Sequence, residues 1–235
     1  MKEAQKTSLL RGPEFVSKYL SGKVIDIGAG KDLVCAWAEP FDLEHGDANV
    51  ISRHRSQAAY DAVHSSHCLE HMHNPAAALR DWWSLLKPGG YLVVVVPEED
   101  LYEQGIWPSK FNRDHKATFR LGRETTWSKV SFDLRELVLV LPECELISAE
   151  IQDAGYDHSL RLRPGQSARK MPRGLKLLRS IGRRLPLIGE RLKRAIENHA
   201  VRYGAPVDQT GREALAQIQV VACKRSIPLS SNSTS

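Results

Sequence analysis

The sequence is short of several things, and each shortage removes a class of protein. No apolar run approaches the roughly 18 residues of a membrane span. The opening Met1-Lys-Glu-Ala-Gln-Lys-Thr7 has no apolar core of the kind a secretory signal needs, so a cytoplasmic protein is expected. Only four cysteines occur, Cys35, Cys68, Cys144 and Cys223, and none makes a CxxC pair. They read as free thiols in a reducing compartment rather than as disulfides or a zinc site. No internal repeat is present. The hydrophobic share of 42% and charged share of 26% are those of an ordinary globular chain, and 235 residues suffice for one full core.

The most informative segment is Val24-Ile-Asp-Ile-Gly-Ala-Gly-Lys-Asp32, an apolar strand running into a glycine turn. Residues without a Cβ let backbone approach a ligand closely, so this pattern points to a nucleotide-type cofactor. The dinucleotide fingerprint needs a third glycine where Leu33 stands, which weakens a nicotinamide reading. From there, Ala38–Leu43, Ala59–Ser66 and Tyr91–Val96 read as strands. Residues 31–38 read as a short helix, and Asn74 and Pro75 as cap and first turn of a helix ending at Leu86. An amphipathic helix is expected over 8–20, a helix over about 129–139, a strand over about 144–151 and a closing strand over 213–223. Strand and helix alternate, which specifies a doubly wound, mostly parallel α/β sheet.

Charge is uneven. Between Arg161 and Arg202 thirteen Lys/Arg face only Glu190 and Glu197, a local excess of +11, so the rest of a chain whose net charge is +5 stands at −6. Leu175, Leu177, Leu178, Ile181, Leu185, Leu187, Ile188, Leu192 and Ile196 are interleaved there, and Gly182, Pro186 and Gly189 divide the segment into short amphipathic helices. Such a segment suits an anionic membrane surface, a phosphorylated or lipid-linked acceptor, RNA, or a solvated subdomain. Nucleic acid has the least support, because Tyr203 is the only aromatic beside it. Residues 226–235 read as a disordered tail.

Four segments in order, Val24–Gly30, Phe41-Asp42, Tyr60–His71 and Leu86-Lys-Pro-Gly-Gly-Tyr-Leu92, resemble the class I S-adenosylmethionine-dependent methyltransferases. The resemblance implies a seven-stranded Rossmann-like sheet, with a methyltransferase core over 1–160 and 204–225 and a basic helical insertion over 161–203. It implies S-adenosylmethionine as cofactor. Gly28 and Gly30 would face the methionine moiety, and Asp26 would orient the loop or the ammonium. Asp42 would hold the ribose and Asp47 the adenine amino group, with Ser65 and Ser66 lining the crevice. Asp42 and Asp47 also suit plain turn residues.

The segment Leu101–Phe119 follows the fifth strand and mixes Tyr102, Trp107, Phe111 and Phe119 with polar side chains, a composition that suits a sugar ring. His115 is the leading general base, with Asp114 orienting it or acting itself and His67 next. Glu70 and His71 read as loop support. The histidines His64, His67, His71 and His73 suggest a metal, but no cysteine or carboxylate set completes a recognised ligand spacing, so none is expected. The pairing of Glu70-His71 with Glu103-Gln-Gly105 and Asn112–Lys116 resembles a bacterial glycan and surface-polysaccharide subgroup. That implies O-methylation of a nucleotide- or lipid-linked sugar, and protein at the inner membrane face. RNA or protein methylation, or a non-catalytic anchoring module, are the alternatives.

Overall fold

The computed structural model describes residues 3–162, 168–182, 189–211 and 214–226. Strand β1 (Val24–Ile27) is wholly buried and pairs in parallel with β2 (Glu39–Phe41) on one side and β3 (Tyr60–Ser66) on the other. Strand β4 (Leu86–Pro97) is parallel to β3. Strand β8 (Gln217–Lys224) runs antiparallel between β4 and β7 (Cys144–Gln152). The sheet order is β2-β1-β3-β4-β8-β7, the expected mostly parallel plan with six strands among the described residues. The chain turns one way from β1 to β2 and the other way from β2 to β3. A crevice therefore opens at the carboxyl ends of β1 and β3, where ligands bind in such sheets.

Period-2 alternation sorts the core onto two faces. Leu92, Val94 and Val96 join Ile25, Ile27 and Val63 beneath helix α3 (Pro75–Ser84), which supplies Leu79, Trp82 and Trp83. Val93 and Ala62 face the other way, under helix α2 (Pro13–Tyr19), with Leu20 and Val24. The buried indoles are satisfied: Trp82 Nε1 donates to the Ala48 carbonyl (2.8 Å) and Trp83 Nε1 to that of Pro142 (3.0 Å). Asn74 caps α3 by accepting from Ala77 N–H, with Pro75 in the first turn.

Several expectations change. The amphipathic stretch over 8–20 is two helices, α1 (Glu3–Leu10) and α2, because Pro13 cannot donate within a continuous helix and instead opens the second. Residues 31–38 form no helix. The loop is pinned in another shape by Val34 N–H donating to Asp26 Oδ2 (2.7 Å). Lys87–Gly90 lies inside β4 instead of ending a helix. The expected 129–139 helix is split: β6 (Ser131–Asp133) pairs with β5 (Thr118–Arg120), and only α4 (Leu134–Leu139) is helical, capped by Asp133. The basic segment holds α5 (Arg173–Gly182) and α6 (Gly189–Tyr203). Leu185, Pro186, Leu187 and Ile188 lie outside the described residues, as does most of the expected tail. Ala200 and Val201 of α6 pack with Leu160, Leu162, Ala205 and Val207 in a cluster of their own. Among the described residues, no helix is long and apolar enough to cross a membrane.

Candidate active site

The glycine turn closes the carboxyl end of β1. Gly28 has φ +76°, and a Cβ there would sit 2.6 Å from Cys68 Cβ, so only glycine fits. Gly28 N–H donates to the Phe41 carbonyl (2.7 Å), and Gly30 N–H donates to Asp42 Oδ2 (2.8 Å). Asp42 thus ties the turn to the end of β2 while its carboxylate, with about four acceptor sites, retains capacity for a diol.

Two spaces share Gly28 as a wall. The larger, a cleft of about 990 Å³, is lined by Gly28, Asp42, Asp47 and Ala48 together with His67, His71, Asp114 and Lys116. Asp47 heads the short turn of helix over Ala48–Arg53. Both of its bonds from Asn49, one from the backbone and one from the side chain, fall on Oδ1, which leaves Oδ2 to accept from an amino group. Those bonds hold the Asp47 carboxyl below its ordinary value, so it is an acceptor at neutral pH.

The smaller space, about 300 Å³, is lined by Gly28, Ala29, Ser66, Asp26, His64 and Arg11. Here a buried relay crosses the sheet. Arg11 donates from Nε to Gln219 Oε1 (2.9 Å) and from Nη1 to His64 Nε2 (3.0 Å), and His64 Nδ1 lies 2.6 Å from Asp26 Oδ1. An Arg donor at Nε2 requires that nitrogen to be bare, so the proton sits on Nδ1 and is given to Asp26. Burial pushes the His64 imidazole below its ordinary pKa and the Arg11 guanidinium down to about 10, and the Asp26 charge opposes both shifts. Arg11 Nη2 is buried without a partner. A guanidinium with an open donor beside a glycine turn is suited to a carboxylate.

Of the expected cofactor residues, Gly28, Asp42 and Asp47 share the large cleft. Gly30 is held onto Asp42. Asp26 and Ser66 line the smaller space. Asp26 is wholly engaged with His64 and Val34, so it orients the loop. Ser65 is not part of the crevice: it is buried and donates to the Ile27 carbonyl (3.0 Å), because adjacent strand residues face opposite ways. Arg11 went unseen in the sequence because a single helix was expected across it. Its signal was a lone arginine just before a helix break.

The acceptor side departs further. His115 does not line the cleft. It is buried, with Nδ1 2.7 Å from Glu103 Oε1 and Nε2 4.0 Å from Glu70 Oε1. Asp114 is exposed and pairs with His71 (Nδ1 to Oδ2, 2.9 Å) and Lys116 (3.3 Å) rather than orienting His115. The hydrogen bond from Lys116, then its charge and that of His71, hold the Asp114 carboxyl below its usual value. His67 lines the cleft, but Gln217 Oε1 lies 3.0 Å from its Nε2 and Glu70 Oε1 3.5 Å from its Nδ1. Glu70 is fully buried. Burial opposes its charge, but the hydrogen bond with His67 and the imidazoles of His67, His115 and His71 outweigh that and hold its carboxyl low. His71, expected as loop support, lines the cleft with the Asp114 carboxylate on its Nδ1. The aromatics over 101–119 are largely spent on packing: Phe119 is in the core, and Tyr102 stacks against His115 and Phe111.

A family model described as a methyltransferase domain matches residues 1–128. The chain belongs to that family, the class I S-adenosylmethionine-dependent methyltransferases. Among solved structures, this methyltransferase is similar to a protein assigned as a methyltransferase from Bacillus halodurans C-125, at 12% identity and TM-score 0.51. That match covers 95% of this chain and 100% of the other. It is also similar to an S-adenosylmethionine-dependent methyltransferase from Archaeoglobus fulgidus (15% identity, 94% of each chain, TM-score 0.45). A third is a protein assigned as a sarcosine dimethylglycine methyltransferase from Galdieria sulphuraria (13%, 82% of this chain, TM-score 0.41), of whose length this chain spans 61%. No curated protein sequence matches it.

The residues fit the cofactor. The steric demand at Gly28, the acceptors Asp42 and Asp47 in one cleft, and the open Arg11 donor in the adjoining space suit the adenosine and amino-acid ends respectively. When bound, S-adenosylmethionine supplies an electrophilic methyl on a sulfonium.

Proposed function

We propose that this methyltransferase O-methylates a sugar or glycan acceptor, nucleotide- or lipid-linked, and that His71 is where the acceptor hydroxyl loses its proton. The observation that carries the reading is that His71 and Asp114 line the same cleft as Gly28, Asp42 and Asp47. Asp114 engages His71 Nδ1, which fixes the ring and leaves Nε2 for an acceptor hydroxyl. His67, His73, Asn49 and Lys116 on that cleft give a polyhydroxyl ligand both donors and acceptors. In-line displacement then needs chiefly positioning, which the cleft walls provide. The paired Glu70-His71 and Asn112–Lys116 segments, with their resemblance to a surface-polysaccharide subgroup, point the same way. Asp42 and Asp47 hold the nucleoside in this reading, and Arg11 the amino-acid carboxylate.

In this scheme α5 and α6 belong to a basic insertion on the core. Leu177 and Leu178 of α5 are exposed in a segment rich in arginine and lysine, which favours an acceptor borne at an anionic membrane face. The test is transfer of labelled methyl to nucleotide sugars and lipid-linked glycans, with RNA and protein in parallel. His71→Ala is expected to lower turnover about 100-fold or more with cofactor affinity retained. Methylation of RNA or protein with none on sugars would overturn the acceptor assignment.

A further inference from the structure

We propose that Glu70, His71 and His115 form a site for one divalent transition-metal ion at the acceptor end of the cleft. One ligand atom from each lies within 4.8 Å of the other two. The inference rests on the reading of His71 as the group beside the acceptor, and deepens it: His71 acts through a bound ion.

Three independent features converge. Each imidazole has a carboxylate on Nδ1, Glu103 Oε1 on His115 at 2.7 Å and Asp114 Oδ2 on His71 at 2.9 Å. That is the arrangement by which metal-binding histidines are oriented, with Nδ1–H held by an outer carboxylate and the Nε2 lone pair offered to the ion. The two rings stand edge to face with centroids 5.0 Å apart. The third feature is an unmet acceptor: Glu70 and Glu103 are buried, and Oε2 of each has no hydrogen-bond partner. Buried carboxylate oxygens normally find a donor or a cation, and a dication would meet that need at Glu70.

The backbone makes the cluster rigid. Lys116 N–H (2.8 Å) and Ala117 N–H (3.2 Å) both donate to the Glu70 carbonyl, which pins the segment carrying His115 against the turn carrying Glu70 and His71. Ligands about 2.0–2.2 Å from an ion stand roughly 3–3.5 Å apart, so His115 Nε2 and Glu70 Oε1, now 4.0 Å apart, need close only slightly. Two imidazoles and one carboxylate favour zinc, cobalt, manganese or iron(II) over magnesium or calcium. Three protein ligands leave coordination positions open, and through His71 the site borders the cleft. An acceptor hydroxyl coordinated there would lose its proton to water in the open cleft more readily, since a bound ion lowers the pKa of an attached oxygen, and that oxygen would take the methyl as the sulfonium S–CH₃ bond breaks.

The experiment uses tag-free protein, stripped with a chelator and titrated with Co²⁺, with Zn²⁺ and Mg²⁺ as competitors. Expected is one Co²⁺ per chain, visible absorption of a nitrogen- and oxygen-ligated ion, displacement by Zn²⁺ and none by Mg²⁺. His71→Ala and Glu70→Gln should weaken binding at least 100-fold, and Glu103→Gln about 10-fold. Calorimetry with S-adenosylhomocysteine confirms that each variant is folded. No saturable Co²⁺ binding in the parent protein, or binding unchanged in folded His71→Ala, overturns the proposal. Because the titration needs no acceptor, it reads independently of the sugar assignment. Turnover lost in His71→Ala of a protein that binds no ion would leave His71 as a metal-free base and the site refuted.

Discussion

Replacing Gly28 by alanine should be costly for two separable reasons, and comparison with Gly30→Ala separates them. Both glycines have positive φ, +76° and +57°, where a Cβ costs about 1–2 kcal/mol. They differ in surroundings. A Cβ on Gly28 would stand 2.6 Å from Cys68 Cβ and 2.8 Å from its sulfur, whereas one on Gly30 meets nothing within 4 Å. A Cβ is fixed to the backbone and cannot rotate away, so the clash moves the turn before Leu69–His71, at about 1–3 kcal/mol more. Gly28→Ala should therefore lose about 2–5 kcal/mol, against about 1–2 for Gly30→Ala, in urea unfolding at constant m. Cys68→Gly in the Gly28→Ala background removes both clashing atoms and should restore part of the loss, a coupling of about 1–3 kcal/mol. Equal losses for the two alanines, or no coupling with Cys68, would refute the steric account of this turn.

Other predictions probe the two ends of the cofactor site and the buried relay. Arg11→Met should weaken S-adenosylhomocysteine binding about 10-fold or more yet leave 5′-methylthioadenosine, which lacks the amino-acid end, unaffected in calorimetry; equal loss for both ligands would detach Arg11 from the carboxylate. Asp42→Ala should weaken both ligands alike. In pH-dependent unfolding, His64 and Glu98 oppose one another. Burial keeps His64 below its ordinary 6.5, so the unfolded chain takes the proton first and stability falls as pH drops below about 6.5, by up to about 1.4 kcal/mol per unit. Burial raises Glu98 from 4.5 to about 7, although N–H donation from Leu101 opposes this, so the folded state holds the extra proton and stability falls as pH rises between those values. Glu98→Gln should remove the second slope and expose the first just below pH 6.5; a flat profile in that variant would discount His64.

The cofactor half of the molecule was legible because backbone builds it from contiguous segments. An apolar run ending in Gly-Ala-Gly, an acid after a short strand and Asn74-Pro75 at a helix start each carry their geometry locally. Where local reading erred, one neighbour decided the outcome. Ser65 and Ser66 alternate across a strand, and only Ser66 reaches the smaller space. Asp114 and His115 are likewise adjacent, yet one is exposed and the other buried. The loop over 31–38 failed as a helix because Asp26 holds it in another shape through Val34 N–H.

The acceptor half was less legible for a different physical reason. Its pairs, His71 with Asp114 and His115 with Glu103 and Glu70, join segments far apart in the chain, and no spacing rule relates them. What brings them together is backbone pairing of residues 116–117 onto Glu70, followed by the choice of which neighbouring side chain turns inward. A buried His115 cannot meet an acceptor as a free base, but it can hold an ion that does. The same burial that removes it from one role thus suits it to the other. Two histidines on one buried glutamate, each with a carboxylate on Nδ1, suit a shared cation better than two competing bases, since only one proton has to leave the acceptor in each turnover.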